Sequence, residues 1–274
     1  MYKYLLLLFV TMVQLFALTL TKGEVHIFEF DKKVPKSIGF DSTFALPIID
    51  HPNGKYIAIL PINYKSDSKT ATLTTLYDEG TKRVKVQIVD GDYKKETLQV
   101  APSKVSPPKE QLNRIQKEYK EAMKIYRTIT PQRYWEQPFI LPLQSKITSH
   151  YGNARMFNNS LQSFHSGVDF KAAIKTPVVA TNDGVVVISQ DRYFAGGSIV
   201  IDHGYGIYSV YYHLSQMDKK VGETVKRGEV IGLSGDSGRV TGPHLHFGII
   251  VLGYAINPLD FINKINATLQ GSNK

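Results

Sequence analysis

Six of the eight histidines lie in the C-terminal half of the chain, at positions 150, 165, 203, 213, 244 and 246. Two of them form His244-Leu245-His246, which follows Gly242-Pro243 and runs into the apolar stretch Phe247-Gly248-Ile249-Ile250-Val251. As a strand, this segment projects both imidazoles from one face, because side chains alternate with a period of two. The apolar stretch behind them anchors that strand in a core. A second group, His165-Ser166-Gly167-Val168-Asp169, sets an imidazole and a carboxylate on either side of a turn-permitting glycine, where a loop enters a strand at Val168. Adding one histidine of the His-x-His gives two nitrogens and one oxygen, the donor set of catalytic zinc sites that keep a fourth position open for water. Such a site polarises a carbonyl and lowers the pKa of bound water to about 7. The other histidine of the pair, with His213 at the end of Tyr208–His213, is suited to carrying protons or holding a tetrahedral oxyanion. Each motif taken singly also fits a hydrogen-bonded loop or surface histidine.

Positioning these groups requires a rigid frame. The length of 274 residues, with 42% apolar and 11% aromatic residues, allows two domains with real cores. Cysteine is absent, which excludes disulfides and thiolate metal sites. From Val25 to Val100, short apolar runs with turn punctuation, including Asn53-Gly54, predict a small β-sandwich-like module. His26 reads as an edge residue there and His51 as a loop residue. Leu112, Ile115, Tyr119, Ala122 or Met123, and Tyr126 recur at helical spacing, with Ser106-Pro107 as the expected cap and first turn. That helix is expected to pack across or between the domains. Beyond Phe139, valine, isoleucine, tyrosine and glycine in short runs predict an antiparallel β domain, with a short helix near Pro258. The fold class is mainly β. The divisions are 1–20 as a signal peptide, 21–102 as the N-terminal β module, 103–130 as a linking helix, 131–265 as the domain with the histidines, and 266–274 as a flexible tail.

Residues 1–20 carry the apolar run of a secretory signal, with Ala17 as a cleavage point, and no second run approaches spanning length. The mature protein is therefore expected to be exported, without a membrane span. Its net charge of +9 does not mark a nucleic-acid groove, since Pro131–Ile265 holds 12 Lys and Arg against 10 Asp and Glu. The basic excess is N-terminal, and reads as a solvated surface or one facing an anionic envelope.

Three motifs together, His165-x-x-x-Asp169, Tyr211-x-His213-Leu214 and Gly242-Pro243-His244-Leu245-His246-Phe247, resemble the LytM/lysostaphin-type zinc metallopeptidases that cut peptidoglycan. Flanking stretches resemble them too, among them Thr148-Ser149-His150-Tyr151-Gly152 with Arg155, Asp183-Gly184-Val185-Val186 and Ile201-Asp202-His203-Gly204. The likeness covers roughly Gln137 to Pro258. It implies one Zn2+ per chain on His165, Asp169 and His246, with His213 and His244 as unliganded catalytic residues. It further implies an exported, periplasmic, monomeric D,D-endopeptidase of peptidoglycan cross-links, with carboxypeptidase action on terminal D-Ala and glycine-bridge cleavage as the other enzymatic reading. A non-hydrolytic activator of other wall hydrolases is the rival of a different class. His150 reads as a groove-wall or surface residue, His203 as structural, and Asn153 as a turn residue. Arg155 fits a substrate carboxylate or an internal salt bridge equally well, and only one of Tyr211 and Tyr212 can line the cleft. The N-terminal module and helix are placed as candidates for covering the cleft and restraining the enzyme.

Overall fold

The computed structural model describes residues 18–41, 44–159 and 161–270. The signal peptide expected at 1–20 therefore lies outside the described residues up to position 17. Leu18–Thr21 forms β1, pairing in parallel with a strand at Gly80–Val89 and burying Leu20. The N-terminal module comprises β1, β2 (Val25–Phe30), β3 (Ser37–Phe40), β4 (Phe44–Ala45), β5 (Ile49–Asp50), β6 (Tyr56–Pro61), β7 (Thr70–Tyr77) and β8 (Gly80–Val89). One sheet runs β1-β8-β7-β3-β4 and the other β2-β6-β5.

Between the two sheets lies a core of Leu20, Ile38, Leu60, Leu73, Val86 and Ile88. β6 shows why the module cannot be lifted off the rest of the chain. Its alternation sends Ala58 and Leu60 into this core, and Ile57 and Ile59 into the core of the C-terminal domain. A strand buried on both faces belongs to both units. Fully buried Trp135 and His51 meet edge-on at this junction, with ring centres 5.8 Å apart. His51 is a loop residue as expected, but buried, facing the Thr268 hydroxyl at 3.0 Å through Nε2.

β9 (Lys95–Leu98) leaves the module, and α1 (Lys109–Tyr126) follows. The expected Ser106-Pro107 cap is corrected: α1 starts at Lys109 after Pro108, with no side-chain cap. Pro107 precedes a proline, and that placement disfavours helical backbone. Instead of bridging two domains, α1 lies on the outer face of the C-terminal sheet. Ala122 and Tyr126 pack there against Ile188, Val200, Tyr208 and Val210.

The C-terminal domain contains β10 (Ile147–Ser149), β11 (Ala154–Phe157), β12 (Leu161–Phe164), β13 (Val168–Lys171), β14 (Pro177–Val179), β15 (Gly184–Arg192), β16 (Gly196–Gly204) and β17 (Ile207–Met217). It continues with β18 (Thr224–Val225), β19 (Val230–Ser234), β20 (His244–Val251), β21 (Tyr254–Ile256) and α2 (Pro258–Gln270). Its sheet runs β10-β13-β20-β17-β16-β15-β18, and β9, β11 and β12 form a small sheet beside it. The predicted tail from 266 is corrected as far as 270. α2 continues through those residues because Thr268 is buried and Asn53 Nδ2 donates to its carbonyl at 3.0 Å. No helix among the described residues is long and apolar enough to cross a membrane.

His203 is structural, as its place in a turn predicted. It is fully buried, with Nδ1–H donating to the Asp183 carbonyl at 2.7 Å and Nε2 accepting from the Ser209 hydroxyl at 2.8 Å. Burial pushes this imidazole down to about 4. The unfolded chain binds a proton near 6.5 and the folded chain does not, so His203 favours folding above that pH and loses its contribution as pH falls toward 4. The loss amounts to about 3 kcal/mol over that window. Urea unfolding of wild type and His203→Gln at pH 7.5 and 4.5 measures it: the variant is expected to show the shallower acid loss, and equal slopes would remove His203 as its source.

Candidate functional site

Antiparallel pairing of β13 with β20 sets Asp169 opposite His246 and Lys171 opposite His244. On its other side, β20 pairs with β17, and Tyr212 stands opposite His246. Directly opposed residues share a face of the sheet, so the carboxylate, the imidazole and the phenol ring converge by register alone. Tyr212 stacks on His246 with centroids 5.4 Å apart and planes within 4°. His165 enters from the loop before β13. Its Nε2 lies 2.8 Å from Asp169 Oδ1, His246 Nδ1 lies 2.9 Å from the same oxygen, and the two nitrogens are 3.0 Å apart. The close approach of this loop explains Gly167. A Cβ there would sit 2.3 Å from the Phe247 carbonyl oxygen and 2.7 Å from His246 Nε2.

His213 reaches the site through a bulge. Strict alternation would send Tyr211 and His213 to one face, with Tyr212 on the other. Between Gly197 and Ile199 the β16–β17 register shifts, and His213 takes a φ of 65°. This left-handed backbone is unusual for a histidine and costs on the order of 1–3 kcal/mol. It allows Tyr212 and His213 both to face the cleft, while Tyr211 is fully buried and accepts from the Thr181 amide. His213 and His244 then stand with ring centres 4.8 Å apart. Backbone carbonyls can only accept, so His213 Nδ1–H donates to Ser237 and His244 Nδ1–H to Gly242, both at 2.8 Å. In each ring Nε2 is left as the acceptor, and that of His244 lies 3.7 Å from Asp169 Oδ1.

His165 is oriented in the same way, with Nδ1–H donating to the His150 carbonyl at 2.8 Å. Its Nε2 lone pair is thereby aimed at the cluster. His150 itself is exposed and gives the site only that carbonyl. Burial alone would raise the Asp169 carboxyl, but the imidazoles of His165 and His246 beside it hold it well below the usual carboxylate range. Burial pushes His246 down to about 4, and burial together with the neighbouring imidazoles pushes His213 well below its ordinary value. At neutral pH Asp169 is therefore ionised, and His246 and His213 are uncharged. His165, Asp169 and His246 are a buried set able to hold one metal ion, and their donor chemistry fits a divalent cation of the zinc type.

Arg155 resolves as an internal salt bridge, with Nη2 lying 2.7 Å from Asp169 Oδ2, the oxygen turned away from the two histidines. Behind it stands Glu96, a residue the sequence reading passed over. β9 pairs in parallel with β11, setting Glu96 beside Arg155. Glu96 accepts from Arg155 Nε at 3.2 Å, from the Ser149 hydroxyl at 3.0 Å and from Asn153 Nδ2. Asn153 is therefore more than a turn residue. Glu96 lies among lysines in an unremarkable polar strand, and only strand pairing brings it to the site.

The profile of peptidase family M23 matches residues 163–258. This stretch holds His165, Asp169, His213, His244 and His246. The chain carries a peptidase M23 domain. Over 95 residues the M23 domain region is 48% identical to peptidoglycan DD-endopeptidase ShyA of Vibrio cholerae, covering 35% of this chain and 22% of that protein. It is 40% identical over 95 residues to DD-carboxypeptidase/endopeptidase Mpg of Neisseria meningitidis, with the same two coverages. The chain thus spans less than a quarter of the length of these curated relatives. A crystal structure of a peptidase M23 candidate from Pseudomonas aeruginosa shares the fold with a TM-score of 0.69 at 24% identity, covering 88% of this chain and 94% of that one. The likeness in fold therefore extends over the N-terminal module as well as the M23 domain.

Removing a residue that orients a metal ligand typically costs about 10- to 100-fold in metal affinity. Arg155→Met is expected to weaken divalent-metal binding at this set by about that factor, and Glu96→Gln by less, in competition with a chromogenic chelator. Unchanged affinity in Arg155→Met would separate the salt bridge from the metal site.

Proposed function

We propose that the protein is a zinc-dependent peptidoglycan hydrolase that cleaves D,D peptide cross-links and also trims terminal D-Ala. The observation that carries this reading is the buried His165–Asp169–His246 set in an M23 domain, flanked by two histidines whose Nε2 atoms face the same cleft. One zinc per chain would be held by His165 Nε2, Asp169 Oδ1 and His246 Nδ1. Bound there, zinc supplies Lewis acidity, which lowers the pKa of a water and polarises the scissile carbonyl.

His244, half-buried and nearer to Asp169, accepts the proton of the attacking water at Nε2 and returns it to the departing nitrogen. His213, at the rim of the cleft of about 340 Å³ that also holds His244 and Arg155, steadies the oxyanion of the tetrahedral intermediate. Stacking of Tyr212 on His246 excludes water from one side of the site. The names of the relatives support the D,D bond. The intact set of five residues supports hydrolysis over the activator reading. A wall substrate supports export to the periplasm, and the protein acts as a monomer.

Contacts of Glu96 support a role for β9, the strand that leads out of the N-terminal module, in building the cleft rather than in restraining it. Glu96, Leu98 and Val100 line one wall beside the histidines.

Digestion of purified sacculi, followed by fragment analysis, tests the reading. The zinc-loaded protein is expected to release monomers from D,D-cross-linked dimers. A chelator should abolish release and added zinc restore it. His244→Ala should lower turnover at least about 100-fold, the low end for a general base, while retaining one zinc. Persistent cleavage after complete metal removal would refute the metallopeptidase assignment, and no cleavage under any condition would favour an activator.

A further inference from the structure

Two guanidinium groups line the cleft beside His213, and only one of them is neutralised. Arg155 is committed to Glu96 and Asp169. Arg239, on the loop between β19 and β20, has no carboxylate within salt-bridge distance among the described residues. The fold nevertheless holds it firmly. Its guanidinium carbon lies 4.3 Å from the Phe157 ring centre and 4.6 Å from that of Phe194. Its backbone amide donates to the Phe194 carbonyl at 2.8 Å. Just before it, Gly238 has a φ of 83° and passes so close to Gly196 that a Cβ would lie 2.5 Å from that amide nitrogen. The same loop supplies the Ser237 carbonyl that orients His213.

Holding Arg239 there carries a cost. Burial first, and then the nearby Arg155 charge, push its guanidinium below its ordinary value. Arginine stays charged in proteins, so the fold bears this cost instead of shedding the proton. Aromatic faces offset part of it and fix the plane of the group, while planar recognition of a carboxylate takes place at the N–H edge. An immobilised, unpaired cation bordering the cleft beside His165, Asp169 and His246 is suited to an anion delivered by the substrate.

We infer that Arg239 binds the carboxylate carried by the carbon attached to the departing nitrogen of a D,D-linked peptide. This rests on the peptidase reading above and sharpens its specificity. A terminal D-Ala-D-Ala bond and a cross-link to the D-centre of diaminopimelate differ in size, yet both leaving groups bear a free carboxylate at that carbon. One guanidinium therefore serves both reactions. Water adds across the same amide in each, leaving a carboxylate on the acyl side and an ammonium on the carbon next to the Arg239-bound carboxylate. A glycine bridge has no carboxylate at that position, and the site selects against it.

The test compares a stem pentapeptide ending in D-Ala-D-Ala, as the free acid and as its C-terminal carboxamide. Wild type is expected to favour the acid by about 10- to 100-fold in kcat/KM, the range of a charge-assisted hydrogen-bonded pair. Arg239→Met is expected to bring the acid down to the level of the amide, and Arg239→Lys to keep part of the preference. Calorimetry with chelator-treated, non-turning protein should show the same acid preference in wild type and none in Arg239→Met. Equal handling of acid and amide by wild type would overturn the assignment. So would an Arg239→Met variant that is slower on both peptides but still favours the acid. If no peptide or sacculus is cleaved by any zinc-loaded form, the peptidase reading fails, and the calorimetric comparison still decides whether Arg239 reads the carboxylate.

Discussion

The antiparallel register that sets Asp169 opposite His246 is the constraint on which the site depends. A shift of one residue would turn His244, His246 and their partners to the wrong face of the sheet. β20 is held on both edges, by β13 and by β17, and its core-facing side chains Leu245, Phe247 and Ile249 are fully buried. Apolar packing therefore enforces a polar register. Gly167 completes the arrangement, because only a residue without a Cβ lets the His165 loop lie against β20.

From this pair, order spreads outward in shells that cross the whole chain. Asp169 uses one oxygen toward the two histidines and the other toward Arg155. Arg155 and Ser149 then meet Glu96, which lies outside the part of the chain matching the M23 family. The N-terminal module is tied to the M23 domain a second time by β6, whose two faces feed two cores. A carboxylate on β9, the strand that leaves the module, braces Arg155 and through it Asp169, and the fold shared with the Pseudomonas aeruginosa structure over most of both chains fits this integration.

Much of this was legible in the amino-acid sequence, for identifiable reasons. Val25–Phe30, Pro258 and His244–Val251 were placed correctly because strong apolar runs and a turn-forming Gly-Pro bound them. The three residues of the proposed metal set were legible because their motifs are compact. What stayed hidden arises from pairing rather than from local pattern. The His213 bulge lets Tyr212 and His213 face the cleft together, against the alternation that the run Tyr208–His213 suggests. Glu96 was invisible because a lone glutamate on a polar strand carries no signal until β9 lies beside β11. The true start of α1 was missed because Pro107 and Pro108 together exclude the helical backbone that Ser106-Pro107 alone would allow.

The central claim is a division of labour among four histidines and one aspartate. Crystals of the zinc-loaded protein, measured on both sides of the zinc absorption edge, test it most directly. The account predicts one anomalous peak per chain about 2 Å from His165 Nε2, Asp169 Oδ1 and His246 Nδ1, with His213 and His244 outside bonding distance. A peak bonded to His213 or His244, or none at this cluster, would contradict it.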